Sequence, residues 1–434
     1  MRVGTLPGRK VLVTVAAAAL ASTGLAACGS GSGGGNSNTV TIWSSIDQPV
    51  QDGLKKKLVS ELKADNSKIT IKWQKVENIN QLIITKIQAG DTPDIALVPQ
   101  PGVVSQMKSL GAVKPLDGVV SKDELSSYLP GAADFSKFDG KTYGLIVSMN
   151  IKGLVFYNKP WFTQKGYTAP TDMAGLVTLA DKIKSDGTAP WCFGIESDTA
   201  TGWPATDWIE NILAKQSGAD VYKDWVTHKV KFDSDDVKKA FDTFDQLLLT
   251  DGNTYGGSKA IVSTNFANTG NPMFQSPPKC GLWEQGSFAP SFLPKSVLAN
   301  QDQNIGVFGL PPESAGGDNP VELGGDSMTM LNDTANVKKV VKLLAATEIG
   351  EDAAGSSSFI SPHKDFDASK YPNELTRDMV KVATGATTTV FDASDQMPAA
   401  VGSGSFWKQV TAWIAGQTTE DKMLKAIDDS WPAS

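Results

Sequence analysis

Strand-like and helix-like patterns alternate through the first part of the chain. Residues 39–43 and 68–73 alternate apolar and polar side chains, as half-buried strands do. Between them Leu54, Leu58 and Leu62 recur at helical spacing. The order continues with a helix, a mostly apolar strand and a further helix, at residues 79–89, 94–98 and 103–110. Such alternation predicts right-handed crossovers and a mostly parallel sheet, with ligands bound beyond the carboxyl ends of its strands.

The rest of the chain adds helices around one extended stretch. Two extended segments, residues 143–149 and 153–157, lie on either side of Asn150. A stretch of this kind can run from one domain into the next. Apolar spacing also predicts a strand at residues 328–331. Helices are predicted by the same criterion at residues 173–184, 206–216, 235–249, 336–347, 406–415 and 422–427.

The N-terminus has the composition of an export signal. A positive segment is followed by an apolar stretch at residues 11–20, which is too short for a comfortable membrane span. Residues 25–28 resemble a bacterial lipobox, so we expect residues 1–27 to be removed and Cys28 to carry the lipid anchor. A flexible Gly/Ser/Asn tether then runs to residue 38. A plain signal peptide with an incidental cysteine is the alternative.

Composition narrows the class of partner. The 434 residues suffice for two or three domains, and the net charge of −7 makes nucleic acid a poor partner. The 2 histidines cannot supply a histidine-rich metal site. Cys192 and Cys280 are the thiols left in the exported body, and we predict that they form a disulfide. Arg377 is the one arginine after Cys28, which favours a neutral polyhydroxyl ligand over an anion.

Several motifs, taken in order, resemble the extracellular solute-binding lipoproteins of sugar ABC importers. They are the anchor, the opening strand, Gly90-Asp-Thr-Pro-Asp94 before an apolar strand, and Tyr143-Gly144 leading to Tyr157-Asn158. A narrower resemblance, to the alpha-glucoside-binding branch, is carried by Pro190-Trp191-Cys192, by residues 201–208 (Thr-Gly-Trp-Pro-Ala-Thr-Asp-Trp) and by Cys280-Gly281-Leu282.

The resemblance implies an α/β, periplasmic-binding-protein-like fold, with two α/β lobes joined by a multi-strand hinge and a ligand cleft between them. Lobe 1 is expected at residues 39–148 with about 323–358, and lobe 2 at residues 149–322 with about 362–434. The lobes would close on a sugar and dock, as a monomer, on a membrane permease. No cofactor, metal or covalent chemistry is expected.

Sugar recognition needs flat rings for C–H faces, and carboxylates or amides for hydroxyls. Trp203 lies between Gly202 and Pro204, and Trp283, with its neighbour Glu284, is expected on a loop flanked by Gly281 and Gly286. Both are therefore candidate rings, although each could instead cap a core. Trp208, Trp225, Trp407 and Trp413 lie in helical patterns and are expected in cores. The candidate polar and backbone ligands are Ser45, Asp47, Gln100, Asn150, Glu196, Asp207, Glu284, Gly325, Asp326 and His363. Asp47 could equally start a helix, Asp326 could be a turn residue, and His363 could lie in an exposed turn.

Two other functions remain open at this stage. A glycosidase would need two carboxyl groups at a defined separation, which a sequence does not provide. The chain lacks a Gly-x-Ser-x-Gly elbow, a phosphate loop and Cys/His zinc spacing. A binder of a non-sugar solute, such as a peptide or a metal chelate, on the same scaffold is the second alternative.

Overall fold

The structure is a computed structural model that describes residues 38–356 and 358–432. The predicted signal peptide, residues 1–27, and the predicted anchor Cys28 lie outside the described residues. Within the described ranges, no helix combines the length and the apolar character that crossing a membrane requires.

The strands of the described chain contribute to two sheets. They are β1 (Thr39–Ser44), β2 (Thr70–Lys75), β3 (Ile95–Val98), β4 (Ser136–Phe138), β5 (Lys141–Ile151), β6 (Leu154–Asn158), β7 (Ala189–Trp191), β8 (Cys280–Gln285), β9 (Ile305–Gly309), β10 (Val321–Met330) and β11 (Thr389–Phe391).

The helices fall where the apolar periodicity predicts them, with additions at residues 122–126 and 159–165 and after residue 256. They are α1 (Gln48–Ala64), α2 (Ile79–Ala89), α3 (Pro101–Ser109), α4 (Lys122–Ser126), α5 (Lys159–Lys165), α6 (Met173–Ser185), α7 (Trp203–Val226), α8 (Asp235–Phe244), α9 (Gly257–Ser263), α10 (Lys295–Leu298), α11 (Gln301–Asn304), α12 (Ala335–Leu344), α13 (Glu374–Thr384), α14 (Ala393–Gln396), α15 (Trp407–Ile414) and α16 (Glu420–Asp428). Helix α7 is interrupted at Gly218, whose φ of 80° is not helical.

The first sheet has the order β2-β1-β3-β10-β5-β4, with β11 also paired to β10. Strand β1 runs parallel to β2 and β3, as predicted. Strand β10, however, is antiparallel to both β3 and β5, and β4 is antiparallel to β5. The expectation of a mostly parallel sheet is therefore wrong, because β10 re-enters this sheet from the second one and runs in the opposite direction.

The second sheet has the order β7-β8-β6-β9 and is reached by a very short crossing. Only Lys152 and Gly153 separate β5 from β6. Gly153 has a φ of 64°, and a Cβ there would overlap the side chain of Asn211. Glycine is therefore needed where the chain passes between the sheets. The chain crosses back between β9 and β10.

Three hydrophobic clusters cover these sheets. One holds Val104 and Met107 of α3 together with the outer face of β3. A second runs from the inner face of the first sheet to β6 and β8. The third packs α7, α8, α14, α15 and α16 on the other face of the second sheet, and it buries Trp208 and Trp225 as predicted. Strand β11 pairs with the first sheet, although its residues fall in the range expected for lobe 2.

A disulfide joins Cys192 and Cys280, which confirms the predicted pairing. It links the segment after β7 to the start of β8, and so connects two neighbouring strands of the second sheet. The two cysteines are 88 residues apart in sequence, so the bond closes a long loop.

We expect the Cys192→Ser, Cys280→Ser double variant to lose about 4 kcal/mol of unfolding free energy, since a cross-link over a loop of this size restricts the unfolded chain. Urea unfolding of the wild-type protein and of the double variant, each with and without reductant, measures the loss. The reduced wild type should match the variant, and the variant should not respond to reductant. Equal stability of all four samples would contradict this expectation.

Candidate functional site

Polar side chains from three strands meet at one edge of the first sheet. Ser45 and Gln100 follow the carboxyl ends of β1 and β3. Ser327 of β10 is paired with Val98, so Asp326 lies beside the end of β3. The ladder of β10 and β5 is irregular between Asp326 and Ser327, and such bulges turn a side chain away from the regular pleat.

Gly325 makes this irregularity possible. Its φ is 150°, and a Cβ there would lie 2.8 Å from the Cα of Met149 as well as overlap the carbonyl of Ser148. A side chain is therefore excluded by the neighbouring strand β5. We assign Gly325 to shaping the backbone that carries Asp326, while the same strand pairs Gly324 with the partly buried Asn150.

The charge of Asp47 acts on Asp326 across this edge. Burial, and then the negative charge of Asp47, raise the pKa of Asp326 to about 7. Asp47 is exposed and stands at the N-cap position of α1, but its side chain makes no capping hydrogen bond. Asp47 therefore does start a helix, as its alternative role required, but its carboxylate takes no part in the cap and is open to solvent.

Trp203 presents a partly buried ring on the side of the second sheet. It is the first residue of α7, and the edges of Phe266 and Phe288 meet it at centroid distances of 5.0 and 6.0 Å. The Lys152 ammonium lies 4.9 Å from its ring centroid. Gly202 has a φ of 115° and packs against the backbone of Trp407. The ring is therefore held from several directions.

Glu196 lies next to the same aromatic group. Its carboxylate accepts hydrogen bonds from the Asp198 backbone N–H and from the Asn265 amide, each at 2.7 Å. These bonds lower the pKa of Glu196, which therefore remains ionised at neutral pH. Asn265 immediately precedes Phe266, whose ring contacts Trp203. The hydrogen bond to Asn265 therefore holds Glu196 close to the rings around Trp203.

Lys152 is the charged centre behind Trp203. Its buried ammonium donates to Asp207 at 2.5 Å and to Asp392 at 3.2 Å. Burial alone would lower the pKa of Lys152, but the charges of Asp207, Asp392 and Glu322 raise it well above its usual value. Burial raises the pKa of Asp207 to about 7, against the opposing effect of Lys152. Asp207, a predicted sugar ligand, is instead buried in this ion-pair cluster.

The same carboxylates have the spacing of a cation site. One oxygen from each of Asp207, Glu322 and Asp392 lies within 4.8 Å of the others. The ammonium of Lys152 bonds to two of the three residues and so supplies a positive charge to the group. We therefore interpret the cluster as an internal ion-pair network around Lys152.

Gln100 connects the first sheet to this network. Its amide donates a hydrogen bond of 2.6 Å to Asp395 of α14. The sequence analysis missed Asp395, because it did not predict the three-residue strand β11 that positions α14. The closely spaced carboxylates of Asp392-Ala-Ser-Asp395 were the available signal.

Comparison with known proteins agrees with this architecture. The family model of the bacterial extracellular solute-binding protein matches residues 47–351. This chain belongs to that family. Two curated relatives are the osmoprotective compounds-binding protein GgtB of Synechocystis, 33% identical, and the alpha-glucosides-binding periplasmic protein AglE of Rhizobium meliloti, 32% identical. Each alignment covers 84% of this chain, with 86% of GgtB and 81% of AglE.

Solved structures of bacterial receptors share the fold of this solute-binding protein. The solute receptor AcbH, described as exclusively preferring β-D-galactopyranose, superposes with a TM-score of 0.75 at 19% identity, over 90% of this chain and 96% of that one. A chitin oligosaccharide binding protein gives 0.68, also at 19% identity, over 91% and 98% of the two chains. At these identities the likeness supports the two-lobed periplasmic-binding-protein fold alone.

The expected position of Trp283 and Glu284 on a loop is wrong. Both lie in β8, a strand buried along its whole length. The Trp283 ring is 1% exposed and packs 5.7 Å from the ring of Phe156. Glu284 is also buried, and its Oε1 has no hydrogen-bond partner among the described residues. Both faces of this sheet are covered by hydrophobic clusters, so neither side chain faces a cleft.

His363 is also a buried structural residue. Its Nδ1 is 2.7 Å from the hydroxyl of Ser127, and its ring lies 4.3 Å from that of Tyr128. Burial lowers the pKa of His363 to about 4, so the ring is neutral at pH 7. The exposed turn that was its alternative placement is wrong as well, since only 4% of the residue is exposed.

We expect His363 to make stability depend on acid pH. Its folded pKa of about 4 is below the ordinary value of 6.5, so the unfolded chain binds a proton first as pH falls. The unfolding free energy should therefore fall between pH 6.5 and 4, by about 3 kcal/mol at most. Urea titrations across this range should show a smaller slope for His363→Gln. His228→Gln is the matched control, and it should retain the contribution of His363.

Proposed function

We propose that this chain captures a neutral sugar, an alpha-glucoside or a small oligosaccharide, and delivers it to the membrane permease of an ABC importer. The observation that carries the proposal is the partly buried Trp203 ring, held by Lys152 and two phenylalanines. A flat, preorganised ring can stack on the C–H face of a sugar at little entropic cost.

Polar groups beside the ring and at the edge of the first sheet match the edge of a sugar. Glu196 on one side, and Ser45, Asp47, Gln100 and Asp326 at the edge of the first sheet, can accept or donate hydrogen bonds to hydroxyl groups. The relatives named for alpha-glucosides and for osmoprotective compounds support a small polyhydroxyl ligand. A ligand that contacts both sheets would favour the closed arrangement of the two lobes, since binding shifts the equilibrium toward the state it contacts best.

We also propose a lipid anchor at Cys28 and delivery at the outer face of the cell membrane by the monomeric protein. The lipobox-like sequence before Cys28 and the tether after it support this part. Mass spectrometry of the protein from membranes of a bacterial host should find Cys28 as the acylated N-terminal residue. The non-sugar binder and the glycosidase are the alternatives. Product analysis after incubation of the purified protein with each sugar separates the glycosidase from a binder.

A ligand panel tests the proposal directly. Thermal denaturation of the purified mature protein with maltose, trehalose, sucrose, longer alpha-glucans and polyols should give a concentration-dependent rise in melting temperature for at least one sugar, because a ligand of the native state stabilises it by mass action. Amino acids, short peptides and metal chelates are the comparison set. A rise with those compounds and none with sugars would refute the sugar proposal.

We expect Trp203→Ala to weaken sugar binding by about 2 kcal/mol or more, the scale of an aromatic anchor at a binding site. Calorimetric titration with the best ligand of the panel measures this loss. Trp413→Ala is the matched control, since Trp413 is also partly buried but packs on Phe241 and Phe244 of α8. A folded Trp203→Ala protein with wild-type affinity would remove Trp203 from the site.

Trp283→Ala provides a contrast with both variants. Its ring fills the core beneath the second sheet, so the change should cost about 3–5 kcal/mol of unfolding free energy. Any loss of binding should then follow the loss of folded protein. Circular dichroism and urea unfolding distinguish this outcome from a direct loss of ligand contact.

A further inference from the structure

Carboxyl groups outnumber ammonium groups around the crossing between the sheets. In this part of the described structure, the Lys152 ammonium faces the carboxyl groups of Asp207, Glu210, Glu284, Glu322, Asp392 and Asp395, and Lys215 faces those of Glu322 and Asp318. Glu210 accepts the backbone N–H of Ala393, and Glu322 accepts the amide of Asn211. Leaving every one of these carboxyls ionised would bury uncompensated negative charge, so part of the group must hold protons.

Asp395 is the member of this group that contacts the first sheet. Its partner Gln100 immediately precedes α3, a helix that packs in the cluster on the outer face of the first sheet. Asp395 itself lies in α14, whose Ala393 belongs to the cluster on the second sheet. The Gln100–Asp395 hydrogen bond therefore joins elements of two different cores. Asp395 is partly buried, and a lobe movement that separates these cores would break the bond and expose its carboxyl group further to water.

We propose that sugar capture by this protein is linked to proton uptake at Asp395, which gains a proton as the two lobes close over it. This inference rests on the proposed sugar-binding function. It concerns the regulation of that site by pH.

The direction of the effect follows from the surroundings of Asp395. Burial and the charge of Asp392 raise the pKa of Asp395 well above its usual range, while Lys152 and the hydrogen bond from Gln100 act against the rise. Asp207 adds a further raising charge from α7. Opening would return water to the carboxyl group and let its pKa fall. Closure then takes up a proton at pH values between the two pKa values, so affinity falls as pH rises.

The measurement is calorimetric titration at pH 7 with maltose, trehalose or sucrose, whichever raises the melting temperature most, in buffers of different ionisation enthalpy. The slope of the observed enthalpy against ionisation enthalpy gives the number of protons bound. We expect uptake approaching one proton for the wild type. The dissociation constant should rise between pH 6 and 8, by up to about tenfold per pH unit.

Asp395→Asn should remove most of the uptake and flatten the pH profile, because an amide keeps the acceptor for Gln100 but cannot titrate in this range. Asp134→Asn, at an exposed carboxyl group paired with Lys137, is the control and should leave the uptake unchanged. Asp326→Asn tests the carboxyl group with a raised pKa at the edge of the first sheet. If Asp395→Asn does not fold, Asp395→Ser gives the same comparison.

Each outcome decides the question. A wild type that binds sugar without taking up protons refutes the inference and leaves the proposed function intact. Uptake that persists in Asp395→Asn and disappears in Asp326→Asn places the proton at the sheet edge, and it also refutes the inference. If no compound of the whole sugar panel binds, the longer alpha-glucans and polyols included, the proposed function fails and the inference fails with it.

Discussion

The arrangement of the two sheets depends on the ion pairs that the buried ammonium of Lys152 makes. Lys152 lies at the two-residue crossing from β5 to β6 and pairs with Asp207 of α7 and with Asp392 after β11. Removing a charge from water costs several kcal/mol, and only close, well-aligned partners offset that cost. Asp207 and Asp392 must therefore stay in register with the crossing, which ties helix α7 and the end of β11 to it.

The same ammonium connects the crossing to the candidate site. It lies against the ring of Trp203, four residues before Asp207 on α7, so one side chain orients the ring and anchors the helix that carries it. The Gly202 contact with Trp407 and the rings of Phe266 and Phe288 restrict the ring further. A ring fixed in this way loses little conformational entropy when a ligand stacks on it.

The close packing of the second sheet explains why two tryptophans in Gly-rich surroundings have opposite positions. Trp283 lies in a strand whose two faces are both covered, and its ring fills the space left by Gly270. Trp203 begins a helix at the boundary of the third hydrophobic cluster, where one side of the helix start stays partly open. Flanking Gly and Pro residues indicate a turn nearby, but they do not say whether a side chain points into a core.

Much of the fold was predictable because its causes are local. Apolar periodicity located β1, β3, the helices α1 to α3 and the two extended segments around the crossing, and the even pair of body cysteines indicated the disulfide. The mixed sheet was not predictable from period and propensity, since the direction of β10 depends on where the chain returns from the second sheet. Ser45, Asp47 and Gln100 were found because strand ends share one edge. Asp395, the ion-pair cluster of Lys152 and the burial of Trp283, Glu284 and His363 depend on contacts between residues far apart in sequence, and only the tertiary structure determines which of those residues meet.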